Sequence, residues 1–248
     1  MTEAKFKLTE ETINVNGEPL YRIEALKDFG DVRKRDKGGF IEKEENLSQN
    51  GDCWVYDNAQ VRGNAMVCGD AKVYGNAKIC DYAEVYGNAI VRNNAQVYDN
   101  AKVFGNAKVF DGAMVFEDAE VYDNVIISDN AVVCGYARVF GKAEVYGIAE
   151  VCDNAKVFGN AWVFGNAEIC GKAEIANDLD YIVFKNWWSS GRYFTWTKNN
   201  NMWKVGCFYG TGEELIEKAY RDSEKSGREY ERVVKYVESI LKDNNADV

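Results

Sequence analysis

Between Asp57 and Ala176 the chain repeats a six-residue word twenty times without an insertion. The third position of each word, Ala59 to Ala173 in steps of six, is Ala nineteen times and Val once, at Val125. The fifth position, Val61 to Ile175, is always Val or Ile. So strict a period marks a repeated structural unit. Six residues do not fit an α-helix, whose 3.6-residue turn would smear the apolar column around the cylinder. A short strand plus a corner does fit. Side chains alternate along a strand, which sends positions three and five inward and positions four and six outward. Positions one and two make the corner: the first holds eleven Gly and seven Asp, the second twelve Asn. These residues tolerate tight, left-handed bends. Three edges close a triangular coil, coils stack at roughly 4.8 Å, and the twenty words predict six to seven coils.

Residues eighteen apart then stack in columns, which defines three outer faces. One carries Glu84/Tyr86, Lys102/Phe104, Glu120/Tyr122, Arg138/Phe140 and Lys156/Phe158, alternating charges beside an aromatic ladder, and reads as a self-satisfied solvent face. A second has an uncharged middle, Met114, Phe116, Val132 and Cys134; outward on a monomer, it is a candidate oligomer face. The third runs from Trp54/Tyr56 to Trp162/Phe164. Either of the last two suits a subunit contact, in a trimer or a dimer. Along one corner, Asp81, Asp99, Glu117 and Asp153 occupy four of seven first positions, with Asp118 beside Glu117. Asp is also a routine turn residue; as a site, this carboxylate edge would dock a basic groove on a partner protein. Cys134, Cys152 and Cys170 share a column, but thiols in a straight line do not converge on a tetrahedral metal centre, and no metal or cofactor is expected.

Charge and thiol usage narrow the function classes. Of a net charge of −10, residues 51–176 hold 17 acidic and 10 basic side chains. An acidic prism repels nucleic acid, so direct nucleic-acid binding is disfavoured and a basic protein partner favoured. There is no apolar run of eighteen residues and no charged-then-apolar leader, which predicts neither a membrane span nor a signal peptide. Seven Cys, an odd number, are then expected to be reduced thiols in a bacterial cytoplasm. The sequence contains no His.

The flanks differ from the repeat. Residues 1–45 predict a β cap over the open edge of the first coil, with strands over Lys5–Leu8, Thr12–Val15 and Leu20–Ala25 and a hairpin turn at Asn16–Gly17. Lys27 to Gly39 reads as a charged loop containing Arg33, Lys34, Arg35 and Lys37. The β-helix is expected over residues 46–176. Residues 177–248 predict an aromatic-rich β-meander followed by two helices, opened by capping boxes at Thr211–Glu214 and Ser226–Glu229. Within the meander Trp187, Trp188, Arg192, Tyr193, Trp196 and Trp203 are a candidate binding module for a base or a peptide, alongside the reading that most of these rings are core.

A Val or Ile followed four residues later by a small residue, as in Val61 to Ala65 and Val67 to Ala71, resembles the signature of the hexapeptide-repeat family. The resemblance implies a left-handed parallel β-helix. The stretch Gly38–Ser48, followed by Cys53–Ala59, is similar to the lead-in of the YdcK-like group, which is common in bacterial and phage genomes and described as transferase-like. The C-terminal module resembles those attached to phage repeat proteins. Family resemblance thus implies acyl transfer from an acyl-coenzyme A donor, but that chemistry uses a His general base and a loop projecting from one coil. This chain has neither the His nor an interruption of the repeat. The reading favoured by the residues is a non-catalytic binding or scaffold protein. The resemblance to phage proteins narrows it to one engaging a host component, for instance as an inhibitor of a bacterial defence system. A signalling-nucleotide sponge using Lys185, Arg192, Lys198 and Lys204 is a further alternative.

Overall fold

The computed structural model describes residues 3–246. Twenty-one two-residue strands, from Trp54–Val55 to Glu174–Ile175, stack in parallel into three sheets of a mainly β solenoid. One sheet has ten strands and the others seven each; two of the ten are antiparallel, leaving eight parallel strands and so about eight turns. The partner of each strand lies eighteen residues on, as Gln96↔Met114 and Val97↔Val115. Coils are laced by backbone bonds: the Gln96 N–H donates to Ala113 O at 2.9 Å, Tyr98 to Val115 O at 3.1 Å and Asn100 to Glu117 O at 2.9 Å.

The inside is the two columns read from the repeat. Every third and fifth position from Ala59 to Ile175 is buried, and together they form one continuous core. Each fully buried Val contributes about 1.5–3 kcal/mol relative to exposure. All twenty first positions have positive φ, from 53° at Asp57 to 77° at Gly141, which is why Gly and Asp dominate there. The sixth-position rings lie outside and stack: Tyr86, Phe104, Tyr122, Phe140 and Phe158 form a ladder with centroids 4.8–5.2 Å apart.

The N-terminal cap is continuous with the solenoid. Strand β1 (Phe6–Val15) pairs antiparallel with β2 (Glu18–Ala25) through the expected turn, with Asn16 at φ 56° and Gly17 at 96°. The two short strands expected over 5–15 are one strand with a bulge between Leu8 and Thr12. The expected loop ends early: β3 (Lys37–Ile41) pairs antiparallel with β2 and parallel with Gln60–Val61, so it is already part of the first turn. Gly38 makes this junction possible, since a Cβ there would lie 2.5 Å from both Val55 O and Ile23 Cγ1.

The outer edge of each end coil exposes both N–H and C=O groups. At the first turn the cap supplies donors. Lys5 Nζ donates to Gly51 O (3.2 Å) and Cys53 O (3.0 Å), Asn46 Nδ2 to Gly63 O (3.1 Å) and Ala65 O (2.8 Å), and Arg22 Nη1 to Gly38 O (2.7 Å) and Asp57 O (3.0 Å). At the last turn the C-terminal module supplies two acceptors, Thr195 Oγ1 for Glu168 N–H and Asn199 Oδ1 for Glu174 N–H, both at 2.9 Å, and a donor, the Tyr181 hydroxyl, for Trp162 O at 3.0 Å.

That module is a four-stranded antiparallel meander (Tyr181–Lys185, Tyr193–Thr197, Met202–Val205, Phe208–Gly210) packed on α1 (Gly212–Asp222) and α2 (Glu224–Ala246). The Thr211–Glu214 capping box is present. The second is displaced: α2 begins at Glu224, and the Ser223 hydroxyl accepts the Ser226 N–H at 3.1 Å. Ser226 sits inside the helix because Ser223 offers its cap three residues earlier. Among the described residues no helix is long and apolar enough to cross a membrane.

Candidate functional site

The acidic corner is built by the turn chemistry of the coils. The first-position N–H has no strand partner, and an acidic residue one coil earlier supplies one. Asp99 Oδ2 accepts from Glu117 N–H at 3.2 Å, Glu117 Oε2 from Gly135 N–H at 2.6 Å, and Asp153 Oδ2 from Gly171 N–H at 2.9 Å. Asp81 Oδ2 reaches the Asp99 N–H more loosely, at 3.5 Å. The other corners repeat the device, as with Asp57 and Gly75 or Asp129 and Gly147. Asp81, Asp99, Glu117 and Asp153 therefore hold the coils together at the same time as they charge the edge. Asp118, a second-position residue, takes an amide bond from Asn100 Nδ2 at 3.2 Å instead.

Beside this corner lies a groove of about 820 Å³, lined by Asn64, Tyr82, Asn100, Asp118 and Tyr136 on its corner wall and by Met66, Glu84, Lys102, Glu120 and Arg138 on the face that follows. Its N-terminal end is closed by Lys43, Glu45 and Asn46. Corner and face are neighbours because two residues after each second position the chain enters the strand. Tyr82 and Tyr136 stand where Asn usually stands, and they are 63% and 64% exposed. They are fifty-four residues, or three coils, apart, which sets them roughly 14 Å apart along the axis. Arg138 pairs with Glu120 at 3.3 Å. Glu84 and Glu120, expected on a separate self-paired face, thus share a groove with Asp118. A survey of departures from Asn at the second position would have found both tyrosines.

The uncharged face is partly closed by its own packing. Met114, Phe116 and Val132 are half-buried and Cys134 is buried; Phe116 stacks on Tyr98 at 4.8 Å. Cys134 packs with Cys152 and Cys170, and burial pushes its thiol up to about 12. The expectation of reduced thiols is corrected here: Cys152 and Cys170 form a disulfide between adjacent coils. In-register stacking brings their Cα atoms to 4.7 Å, within bonding reach. Glu150 joins them to within 4.8 Å, but the two sulfurs are committed to each other.

The aromatic module separates into core and surface. Trp188, Trp196 and Trp203 are buried against Phe194, Leu215, Tyr230 and Val234, and the Trp196 indole donates to Asn201 Oδ1 at 2.8 Å. They form no accessible ring cluster, because the meander needs them to cover α1 and α2. Trp187 is 73% exposed. Arg192 and Tyr193 line a shallow cavity of about 280 Å³ with Ile148, Glu150 and Glu168. Of the basic residues nearby, Lys185 sits over the Tyr193 ring and Lys204 lies 4.0 Å from Glu168.

With these surfaces described, comparison with known proteins adds one partial likeness. Over 42 residues the chain is 43% identical to the uncharacterized acetyltransferase YdcK of Escherichia coli K12. The matched stretch is 17% of this chain and 13% of that protein. No family model matches the chain. The likeness is confined to a short stretch, in a chain built on a six-residue period, so it carries no assignment of activity.

Proposed function

We propose that this chain is a non-catalytic binding protein, and that it takes an extended, positively charged segment of a partner protein along the corner from Asn64 to Tyr136. The observation that carries this reading is the groove itself, with two exposed tyrosines three coils apart and the Asp81, Asp99, Glu117 and Asp118 edge beside it. Tyr82 and Tyr136 offer large, rigid surfaces at low entropic cost, which is the residue type that anchors protein contacts. The acidic edge attracts a basic partner and weakens with salt over a screening length of about 8 Å. A host protein engaged by a phage-type chain, with inhibition of a defence system as its narrowest form, is one version of this reading; it rests on resemblance alone. Association of copies through the Met114–Cys134 face, in a dimer or trimer, is compatible with it.

Acyl transfer is the second reading, favoured by the 42-residue likeness to an acetyltransferase. Against it stand the absence of His from the sequence and twenty words without a projecting loop. One experiment separates the two. A lysine- and arginine-rich peptide is titrated calorimetrically at low and physiological salt, against wild type and Tyr82→Ala/Tyr136→Ala, and acetyl-coenzyme A turnover is followed with amine acceptors. Binding that weakens with salt and with the double substitution, without turnover, supports the docking edge. Turnover of acetyl-coenzyme A overturns it.

A further inference from the structure

The first turn holds a Lys–Cys pair that the docking edge does not use. Lys5 is 1% exposed and Cys53 is fully buried. Lys5 Nζ lies 3.2 Å from Cys53 Sγ and completes its shell with the carbonyls of Cys53 (3.0 Å) and Gly51 (3.2 Å). The Phe29 ring covers the ammonium with its centroid 5.1 Å away. Lys5 has no carboxylate within ion-pair distance among the described residues, which is unusual for a charge so deeply buried. The sulfur is aimed at backbone oxygens: Sγ lies 3.6 Å from Ser48 O and from Val67 O. Burial raises the Cys53 thiol while the Lys5 ammonium draws it back down.

The backbone holds both partners in place. Lys5 N–H donates to Gln49 Oε1 at 2.7 Å and Lys5 O accepts from Leu26 N–H at 2.9 Å. Cys53 N–H donates to Gly69 O at 2.9 Å in the next turn. Nitrogen and sulfur therefore meet without rearrangement, in a dry site from which larger reagents and thiol reductants are screened.

We propose that Lys5 and Cys53 are a covalent redox site, in which dioxygen inserts one oxygen atom between Lys5 Nζ and Cys53 Sγ. The step balances as thiol plus ammonium plus dioxygen giving an S–O–N bridge, one water and one proton. The S–H bond and two N–H bonds break, and S–O and O–N bonds form. Sulfur and nitrogen each give up two electrons, and these four reduce dioxygen, one atom entering the bridge and the other leaving as water. The bridge ties the residue just before β1 to the first turn and converts a hydrogen-bonded cap into a crosslinked one. Thiols reduce it back to the free thiol and amine once the site is opened, as by digestion.

The full chain, purified under dithiothreitol, is exchanged into aerated buffer, digested without reductant and analysed by mass spectrometry. The expected product joins the peptides containing Lys5 and Cys53, one oxygen heavier and two hydrogens lighter than their sum. It disappears on added dithiothreitol and is absent from Cys53→Ser, in which a hydroxyl can keep the contact with Lys5. Folding of the variant is checked by its thermal transition. Exposed Cys207 reports that oxidant was present. Oxidation at Cys207 with unlinked Lys5 and Cys53 peptides overturns the proposal, as does oxidation of Cys53 to a sulfinic acid with Lys5 free.

Discussion

The two ends of the solenoid are closed by different side chains, a buried cation at one and neutral groups at the other. At the N-terminal end Lys5, Arg22 and Asn46 donate to carbonyls, while Glu42 Oε2 accepts the Gly63 N–H. At the C-terminal end Thr195 Oγ1 and Asn199 Oδ1 accept from the Glu168 and Glu174 N–H groups, and the Tyr181 hydroxyl donates to Trp162 O. Parallel stacking does not impose this difference, because an edge strand exposes both N–H and C=O groups; it lies in the side chains that the two caps bring. The N-terminal end uses a cation buried in the core, where loss of one partner strands two carbonyls. The C-terminal end uses neutral oxygens, the buried Thr195 hydroxyl and the exposed Asn199 amide. An open edge at either end would invite another chain to add a strand, so the two caps leave the flanks as the surface for binding.

The comparison is broken most sharply at one close-packed glycine from each end. Gly38→Ala forces a Cβ against buried backbone at Val55 O, and the expected loss is about 3 kcal/mol. Gly171→Ala meets the Tyr209 ring instead, which can swing outward. The left-handed φ of 69° then leaves a loss of roughly 1–2 kcal/mol. Urea denaturation of both variants measures the difference, and equal losses would mean that the two junctions are equally rigid.

Next come the cap donors and acceptors themselves. Lys5→Met keeps the aliphatic stem but leaves Gly51 O and Cys53 O without their donor, with an expected cost of about 2–3 kcal/mol. Thr195→Val removes a neutral acceptor of similar shape from Glu168 N–H, with an expected cost of about 1 kcal/mol. The same denaturation series tests the order; a larger loss at Thr195 would reverse the comparison.

The smallest effects are electrostatic and opposite in sign at the two ends. The Lys72 hydrogen bond holds the Asp31 carboxyl below its ordinary range against a smaller burial effect. Its contribution is complete above the unfolded carboxyl pKa and is lost as pH falls through the lower folded value. Burial raises Glu168, with Glu150 adding to it and Lys204 opposing. That group costs stability above its raised pKa, and the cost is relieved as pH falls through it. Melting curves from neutral to acid pH should show Asp31→Asn less stable than wild type only at neutral pH. Glu168→Gln should be more stable only there, each within about 0.5 kcal/mol.

Much of this molecule was legible because it is periodic. The Ala and Val columns, the outward ring ladders and the left-handed corners all follow from a six-residue word. The first turn was harder to see. Gly38–Val55 lacks the word, and its charged lead-in up to Gly39 has the composition of a loop, although Phe40 and Ile41 already pair with Gln60 and Val61. Residue type does not separate a buried from an exposed ring where no period exists: Trp187 and Trp188 are adjacent, yet one is exposed and the other is core. The acidic corner was visible as charge, while its bonds to the next coil depend on backbone geometry. Charge reversal there would therefore test stability along with binding, and Asp118, whose side chain is bonded only to an amide side chain, is the cleaner probe of the edge.

Native-state hydrogen exchange at the last turn tests the closed-end account most directly. If the C-terminal module closes the solenoid, the Glu168 and Glu174 amides exchange as slowly as mid-solenoid Gln96 and Tyr98, and Thr195→Val accelerates Glu168 while leaving Glu174 protected. If both amides in the wild-type protein exchange at the rate of an exposed loop, the end is open and the account is wrong.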